Sequence, residues 1–179
     1  MIETERLILR EWRAEDAAEM KRHCNTPAVM RWLGPLNPPE YYVAMVARQQ
    51  AMVADHGHCF WVVERKEDGA FLGMCGIKRC DPESVGLTGE FEIGWRLRED
   101  AWGKGYAREA ATAALDHAFG TLGAKRVIAL TVDGNSDSWG LMLRLGMVRR
   151  PDLDFDDPRY SAELNPTIVY VIGADQWRT

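Results

Sequence analysis

The stretch EFEIGWRLREDAWGKGYAREAATAALDHAF, from Glu90 to Phe119, contains the change of pattern that decides the fold. Its first part, Glu90 to Leu97, alternates apolar residues with residues that are polar or glycine, and this period of two predicts a strand. From Tyr106 onward an alanine-rich apolar stripe follows the helical period and predicts a long helix. Gly103 and Gly105 stand between the two elements, so a glycine loop joins a strand to a helix.

Strands and helices also alternate in the rest of the chain. Further strands are predicted by short runs rich in apolar and β-branched residues, namely Arg6–Arg10, Phe60–Arg65, Phe71–Arg79, Arg126–Val132 and Thr167–Gly173. Further helices are predicted at Ala14–His23, behind the Pro38-Pro39 pair, and at Ser136–Leu145. This mixed order predicts an α+β or mixed α/β fold around one central sheet. We expect residues 1–179 to form a single domain, because no linker or repeat interrupts them.

Composition limits the classes of function. The chain is 46% hydrophobic and 27% charged, as in ordinary globular proteins, and its net charge of -5 disfavours a nucleic-acid partner. No apolar run is long enough to cross a membrane, and the charged N-terminal stretch lacks a signal peptide's apolar core, so we expect a cytoplasmic protein with no membrane partner. The four cysteines lack the spacing of a zinc site and predict reduced thiols without a bound metal.

The glycine loop does not fit the two common nucleotide motifs. A GxxxxGK[ST] loop would need glycine at Arg98 and a hydroxyl at Gly105, and a GxGxxG motif that starts at Gly103 fails at Arg108. Amides at the start of a helix can still bind a pyrophosphate, with Lys104 and Arg108 adding positive charge. The residues alone support this anion site and a simple strand-to-helix turn equally.

Residues Glu90 to Phe119 resemble the acyl-CoA-binding core of the GNAT superfamily of N-acetyltransferases, whose signature is [QR]-x-x-G-x-[GA] between a central strand and a long helix. Gly105 and Ala107 fill the last two signature positions, while Trp102 stands where many relatives have Gln or Arg. More closely, EIGW and WGKGYA resemble the Rim-type branch, which acetylates the N-termini of ribosomal proteins.

Four other stretches are similar to the same branch, so the resemblance spans nearly the whole chain. They are LILREW from Leu7, PAVMRWLG before the second predicted helix, Asn135 to Met147 with its N-x-x-S and LMLRLGM, and the ending IVYVIGADQW. The resemblance implies a mostly antiparallel mixed sheet of about six to seven strands, splayed at the CoA site and flanked by about four helices.

The resemblance also implies acetyl-CoA as the acyl donor and no metal. The pantetheine arm would lie along Ile93–Leu97 as an extra strand, in a gap between this strand and Arg126–Val132. The pyrophosphate would meet the amides of Gly103–Arg108, and Asn135 would reach the pantetheine or order the splay. The residues implied in cofactor binding are Ile93, Trp95, Leu97, Gly103, Lys104, Gly105, Tyr106, Ala107, Arg108 and Asn135.

Acetyl transfer to an amine needs a proton acceptor, a polarised carbonyl and a protonated leaving thiolate. Glu92, on the polar face of the strand, is our candidate for the base, with Glu90 second, although either could anchor substrate or form a salt bridge. By the resemblance, Ser138 is the candidate acid at the CoA sulfur, although it could be an ordinary helix-start hydroxyl. A backbone N–H near Trp95, freed by a bulge that Gly94 suggests, would bind the oxyanion.

The predicted function is therefore acetyl transfer to a primary amine by direct attack in a ternary complex. The acceptor would be a protein N-terminus, a small amine or an amino-sugar antibiotic, and the chain a monomer or homodimer. Two alternatives stay open: a catalytically inactive CoA-binding regulatory module, and a nucleotide-binding enzyme.

Overall fold

The computed structural model describes residues 1–80 and 86–177. Within these ranges the helices are α1 (Asp16–Cys24), α2 (Pro27–Met30), α3 (Pro39–His56), α4 (Tyr106–Gly120) and α5 (Ser136–Arg144). The strands are β1 (Ile2–Glu3), β2 (Leu7–Arg10), β3 (Phe60–Arg65), β4 (Phe71–Arg79), β5 (Phe91–Leu97), β6 (Arg126–Val132), β7 (Val148–Arg149) and β8 (Thr167–Gly173). Short 3-10 helices occupy Glu99–Ala101, Pro151–Leu153 and Ala162–Leu164.

All the described strands belong to one mixed sheet with the order β1-β2-β3-β4-β5-β6-β8-β7. Each neighbouring pair is antiparallel except β5 with β6, which is parallel. The predicted fold class is confirmed, with two additional strands, β1 and β7, that have 2 residues each. Strands this short contain too few residues for an alternating pattern, which is why the sequence does not reveal them.

The helices cover both faces of the sheet. Trp61 in β3 stacks edge-on against His117 in α4, with ring centroids 5.3 Å apart, so α4 covers the face that carries Trp61. Cross-strand pairing puts Cys75 and Trp95 on this same face. The most deeply buried part of α4 is its alanine stripe, which allows the helix to lie close to the strands.

On the other side, α1 packs against α3 and against β4. Tyr42 in α3 and Met20 in α1 are fully buried, and Gln49 of α3 accepts a hydrogen bond from the backbone N–H of Phe60 at 3.0 Å. This layer therefore lies over the face opposite α4, which is the face of Phe60.

Candidate active site

The sheet opens between its two parallel strands. Among the described residues, β5 and β6 pair only at Phe91 with Val127 and at Glu92 with Ile128, although each strand has 7 residues. Beyond Glu92, no described residue of β5 pairs with a residue of β6. The consequence is a cleft in the middle of the sheet, with an unpaired strand edge on each side.

The pairing of β5 with β4 shows which backbone groups face this cleft. The Cys80 N–H donates to the Glu90 carbonyl at 2.7 Å, and the Arg98 N–H donates to the Leu72 carbonyl at 2.9 Å. Because hydrogen-bonded positions alternate along an antiparallel ladder, the even-numbered residues of β5 bond to β4. The N–H and C=O groups of Ile93, Trp95 and Leu97 consequently point toward the cleft.

Gly94 has a different role from the predicted one. The ladder between β4 and β5 runs without a shift of register from Phe91 to Leu97, so the bulge predicted at Gly94 is wrong. A Cβ at Gly94 would instead lie 2.8 Å from Cζ of Phe60, so the glycine makes room for this ring. The N–H of Trp95 faces the cleft because the strands splay, and no bulge is needed to expose it.

The indole of Trp102 closes the end of β5. Its Nε1 donates to the carbonyl of Leu97 at 2.9 Å, which leaves the Leu97 N–H as the cleft-facing group of that residue. The rest of the Trp102 side chain is 47% exposed. At the position where many relatives have Gln or Arg, this chain thus has a residue that completes the strand edge and presents an apolar surface to solvent.

The glycine loop follows directly. Gly103 and Gly105 have φ values of 71° and 81°, in the left-handed region that side chains other than glycine rarely adopt. Gly105 is the N-cap of α4 and offers no side chain to cap it, so the first N–H groups of the helix stay open to solvent or a ligand. Lys104 and Arg108 are both exposed beside them. Open amides, the helix dipole and two cations form a site suited to a phosphorylated group.

A network from the N-terminal strands fixes the loop. Arg6 donates to the carbonyl of Lys104 at 3.0 Å, and its guanidinium lies 4.6 Å from the ring centroid of Tyr106. Its Nε also contacts Glu109 at 2.6 Å, and Thr4 donates to the same carboxylate at 2.6 Å. Burial alone would raise the pKa of Glu109, but the hydrogen bonds from Thr4 and Arg6 hold it below its usual value.

The two candidate bases have different surroundings. Glu90 accepts two hydrogen bonds from Arg126, at 2.6 and 3.0 Å, and this guanidinium lowers the pKa of Glu90. Glu92 lies 3.2 Å from Nζ of Lys78, and its side chain is 13% exposed. Glu90 sits at the closed end of β5, whereas Glu92 is the last residue of this strand paired with β6, so only Glu92 lies where the cleft begins.

The other sequence-predicted residues lie across the cleft at the start of α5. Asn135 donates to the hydroxyl of Thr131 at 3.1 Å, and its carbonyl accepts the N–H of Ser138 at 3.1 Å. The partly buried Ser138 hydroxyl makes no hydrogen bond to any described residue. Because β6 ends at Val132 and α5 begins at Ser136, Ser138 lies just beyond the carboxyl end of the strand that forms the second wall of the cleft.

Aromatic residues border the face opposite α4. The indole of Trp32 lies against Gly134, where a Cβ would be 2.7 Å from the ring, and Trp139 donates to the carbonyl of Asp133 at 2.9 Å. A Cβ built at Gly34 would lie 3.9 Å from Cε1 of Tyr160. Trp12, by contrast, is only 4% exposed and donates to the Phe60 carbonyl, so it belongs to the core.

Several residues in this region were not identified from the sequence. Arg6 and Lys78 act through partners far away in the chain, and no local motif marks them. Arg96 could have been noticed, since it is a charged residue on the same strand face as Glu92. In the described ranges no group of three or more His, Cys, Asp or Glu side chains is arranged to hold a metal. No described helix is both long and apolar enough to cross a membrane.

The fold and site together define an α+β domain with a cleft between parallel strands and a glycine loop with open amides at the start of the following helix. The chain belongs to the GNAT acetyltransferase family, because residues 6–148 match the family model described as an acetyltransferase (GNAT) domain.

Relatives agree with this assignment. YkkB, a Bacillus subtilis protein without a characterised function, is 33% identical over 123 residues, which cover 69% of this chain and 70% of YkkB. The crystal structure of an acetyltransferase from Agrobacterium tumefaciens is 27% identical and has a TM-score of 0.80, covering 96% of this chain and 92% of the other. The spermidine N-acetyltransferase of Vibrio cholerae, solved with CoA and spermine, has the same fold with a TM-score of 0.75 at 16% identity, covering 98% of this chain and 100% of the other.

Proposed function

We propose that this protein is an N-acetyltransferase that uses acetyl-CoA and a primary amine in a ternary complex. The observation that carries the proposal is the cleft between β5 and β6, whose β5 edge presents the N–H and C=O groups of Ile93 and Trp95. Unpaired backbone groups at an internal edge need a partner. An extended pantetheine arm with two amides supplies such a partner.

The phosphate end of the donor fits the loop at the start of α4. The open amides from Gly103 to Arg108, with Lys104 and Arg108 beside them, would bind the pyrophosphate. The Vibrio spermidine enzyme, which shares the fold, was solved with CoA. This neighbour supports the choice of CoA over ATP or NAD.

We assign the chemistry to residues around the cleft. Glu92 accepts the proton of the ammonium, directly or through water, while the N–H of Trp95 binds the developing oxyanion. Attack of the amine on the thioester carbonyl forms the amide and expels the thiolate of CoA. Ser138 donates a hydrogen bond or proton to that sulfur, and Asn135 orders the splay through Thr131.

The acceptor is a primary amine, either a protein N-terminus or a small molecule. The N-terminal amine is favoured by the resemblance of WGKGYA and PAVMRWLG to the Rim-type branch. A small polyamine is the alternative suggested by the spermine in the Vibrio structure.

A binding experiment and a turnover experiment test the proposal separately. Acetyl-CoA, CoA, ATP and NAD are compared by thermal shift, where a ligand at 100 times its Kd adds about 2.7 kcal/mol, or about 5–10 °C. We expect only the CoA species to stabilise the protein, and Gly105→Val to abolish the effect. Stabilisation by ATP or NAD alone would instead support a nucleotide-binding enzyme.

Turnover is then followed as thiol release from acetyl-CoA with N-terminal peptides, spermine and amino sugars. We expect Glu92→Gln and Ser138→Ala to lower kcat while CoA binding stays near the wild-type level. A protein that binds CoA but transfers acetyl to none of these amines would be the inactive regulatory module.

A further inference from the structure

Arg96 carries a partly buried positive charge that has no ion-pair partner among the described residues. Its Nε and Nη1 are shielded from solvent and have no hydrogen-bond partner among the described residues. A guanidinium is always charged and has five N–H donors, and burying such donors unpaired is costly. Most buried polar groups in proteins are satisfied, so an orphaned guanidinium is a marker of a ligand site.

The side chain of Arg96 lies on the same face of β5 as Glu92 and Gly94, because alternate residues share a face. This face is opposite α4, on the side of α1 and α3. At about 3.3 Å per residue, Arg96 lies about 7 Å along the strand from Gly94. The Phe60 ring lies against Gly94 and supplies an apolar surface between the two charged residues.

Two tyrosines lie within the electrostatic reach of Arg96. Burial raises the pKa of Tyr42, while the charge of Arg96 acts in the opposite direction, and the same two effects apply to Tyr160. The buried hydroxyl of Tyr42 lies near Asn37 without reaching hydrogen-bond geometry. Arg96 also acts on the Cys24 thiol at the end of α1. Asp100 also acts on Cys24 and Asp157 on Tyr160, but these carboxylates pair with Arg98 and Arg159 and form no ion pair with Arg96.

Two other arginines differ from Arg96 because each has a carboxylate partner. Arg98, two residues further on, pairs with Asp100 at 2.5 and 2.7 Å, and Arg126 pairs with Glu90. Within residues 1–80 and 86–177, carboxylates pair with these two arginines and none pairs with Arg96.

We propose that Arg96 binds a carboxylate carried by the amine acceptor, so that the protein selects amines that also bear a negative charge. This inference rests on the proposed function, since it places the acceptor on the face of β5 that carries Glu92. The amine lies toward Glu92 and the carboxylate reaches Arg96, with the intervening carbon chain against Phe60. A carboxylate that approaches the guanidinium side-on accepts parallel hydrogen bonds from Nε and from Nη2, which is not one of the buried unpaired atoms, so it would satisfy the buried Nε.

The test uses a matched pair of probes, 5-aminovalerate and 5-aminopentanamide, which differ only in carboxylate against amide. Binding of each to the CoA-loaded protein is measured by titration calorimetry for the wild type, Arg96→Gln, Arg96→Lys and Arg98→Gln. Hydrogen bonds to charged groups contribute about 10- to 100-fold in affinity. We expect the wild type to prefer the acid by this factor, Arg96→Gln to lose the preference, Arg96→Lys to keep part of it and Arg98→Gln to keep all of it.

Equal binding of the two probes, no binding of either, or a preference that survives in Arg96→Gln would overturn the inference. Far-ultraviolet circular dichroism and thermal unfolding of each variant show whether the fold is retained, and Arg96→Lys preserves the charge if the glutamine variant is unstable. In turnover experiments, Arg96→Gln should raise the KM for 5-aminovalerate and leave kcat unaltered. Absence of turnover with every amine would refute the proposed function alone, because the binding result does not depend on turnover.

Discussion

Replacing Gly105 by alanine perturbs the glycine loop in a way that can be separated from general strain. Gly105 has φ 81°, and a left-handed conformation costs an L-residue about 1–2 kcal/mol. The nearest atom to a Cβ at this position is Nη2 of Arg6 at 3.4 Å, the end of a flexible side chain. The cost is therefore conformational, and at this chain length it corresponds to a drop in Tm of about 2–8 °C.

Gly123 provides the matched control. It has φ 64°, no atom lies within 4 Å of a Cβ built there, and it lies in the turn after α4, at the end of the helix away from the loop. Gly123→Ala should lower Tm by a similar amount. Only Gly105→Ala should weaken CoA binding, because relief of its strain moves the amides that begin α4.

Both effects are measured on the same samples, Tm by calorimetry and CoA affinity by titration. The reasoning is refuted if Gly105→Ala binds CoA as tightly as Gly123→Ala does, or if it has the wild-type Tm.

Three further predictions follow from contacts around the site. Arg6→Ala should weaken CoA binding and lower stability by about 1 kcal/mol, because the Lys104 carbonyl loses its hydrogen-bond donor. Arg150→Ala removes an exposed ion pair with Asp152 and should leave CoA binding unchanged, and titration calorimetry of the two variants measures the difference. The pKa of Glu109 is lower in the folded protein, so its stabilising contribution is present above about pH 4.5 and is lost as pH falls through the folded value. Glu109→Gln should therefore flatten this part of the stability profile in acid titrations, and a profile as steep as that of the wild type would contradict this. All four cysteines are free and buried, and burial raises the pKa of the Cys24 and Cys59 thiols to about 12. Ellman's reagent should therefore react slowly with the native protein, and it should detect 4 thiols after denaturation. Rapid reaction of any thiol in the native protein would contradict this.

Much of the fold was predictable because its elements carry strong local patterns. The bounds of β3, β4, β6 and β8 agree with their predicted ranges, since each is an apolar run between turn residues. The glycine loop was predictable for the same reason. Two closely spaced glycines at the start of a helix have a conformational cause that the sequence itself shows.

Features of the site that depend on long-range contacts were not predictable. The partner of Glu92 is Lys78 on β4, and the partner of Glu90 is Arg126 at the start of β6, 36 residues later in the chain. A glycine in a strand can form a bulge or can leave room for a side chain of a neighbouring strand, and the register decides which. Gly94 leaves room for the ring of Phe60. The isolation of Arg96 is the extreme case, because an absent partner leaves no pattern in a sequence.

The two residue pairs that join β5 to β6 have a consequence for the lifetime of the protein as well as for its chemistry. They are the one place in the described sheet where its two halves meet, so a donor bound in the cleft as proposed would act as the missing strand between them. Amide hydrogen exchange in β6 should then slow when the donor binds, and the population open to proteases should fall in proportion to occupancy. The supply of the donor would in this way set how long each molecule survives as well as how fast it works.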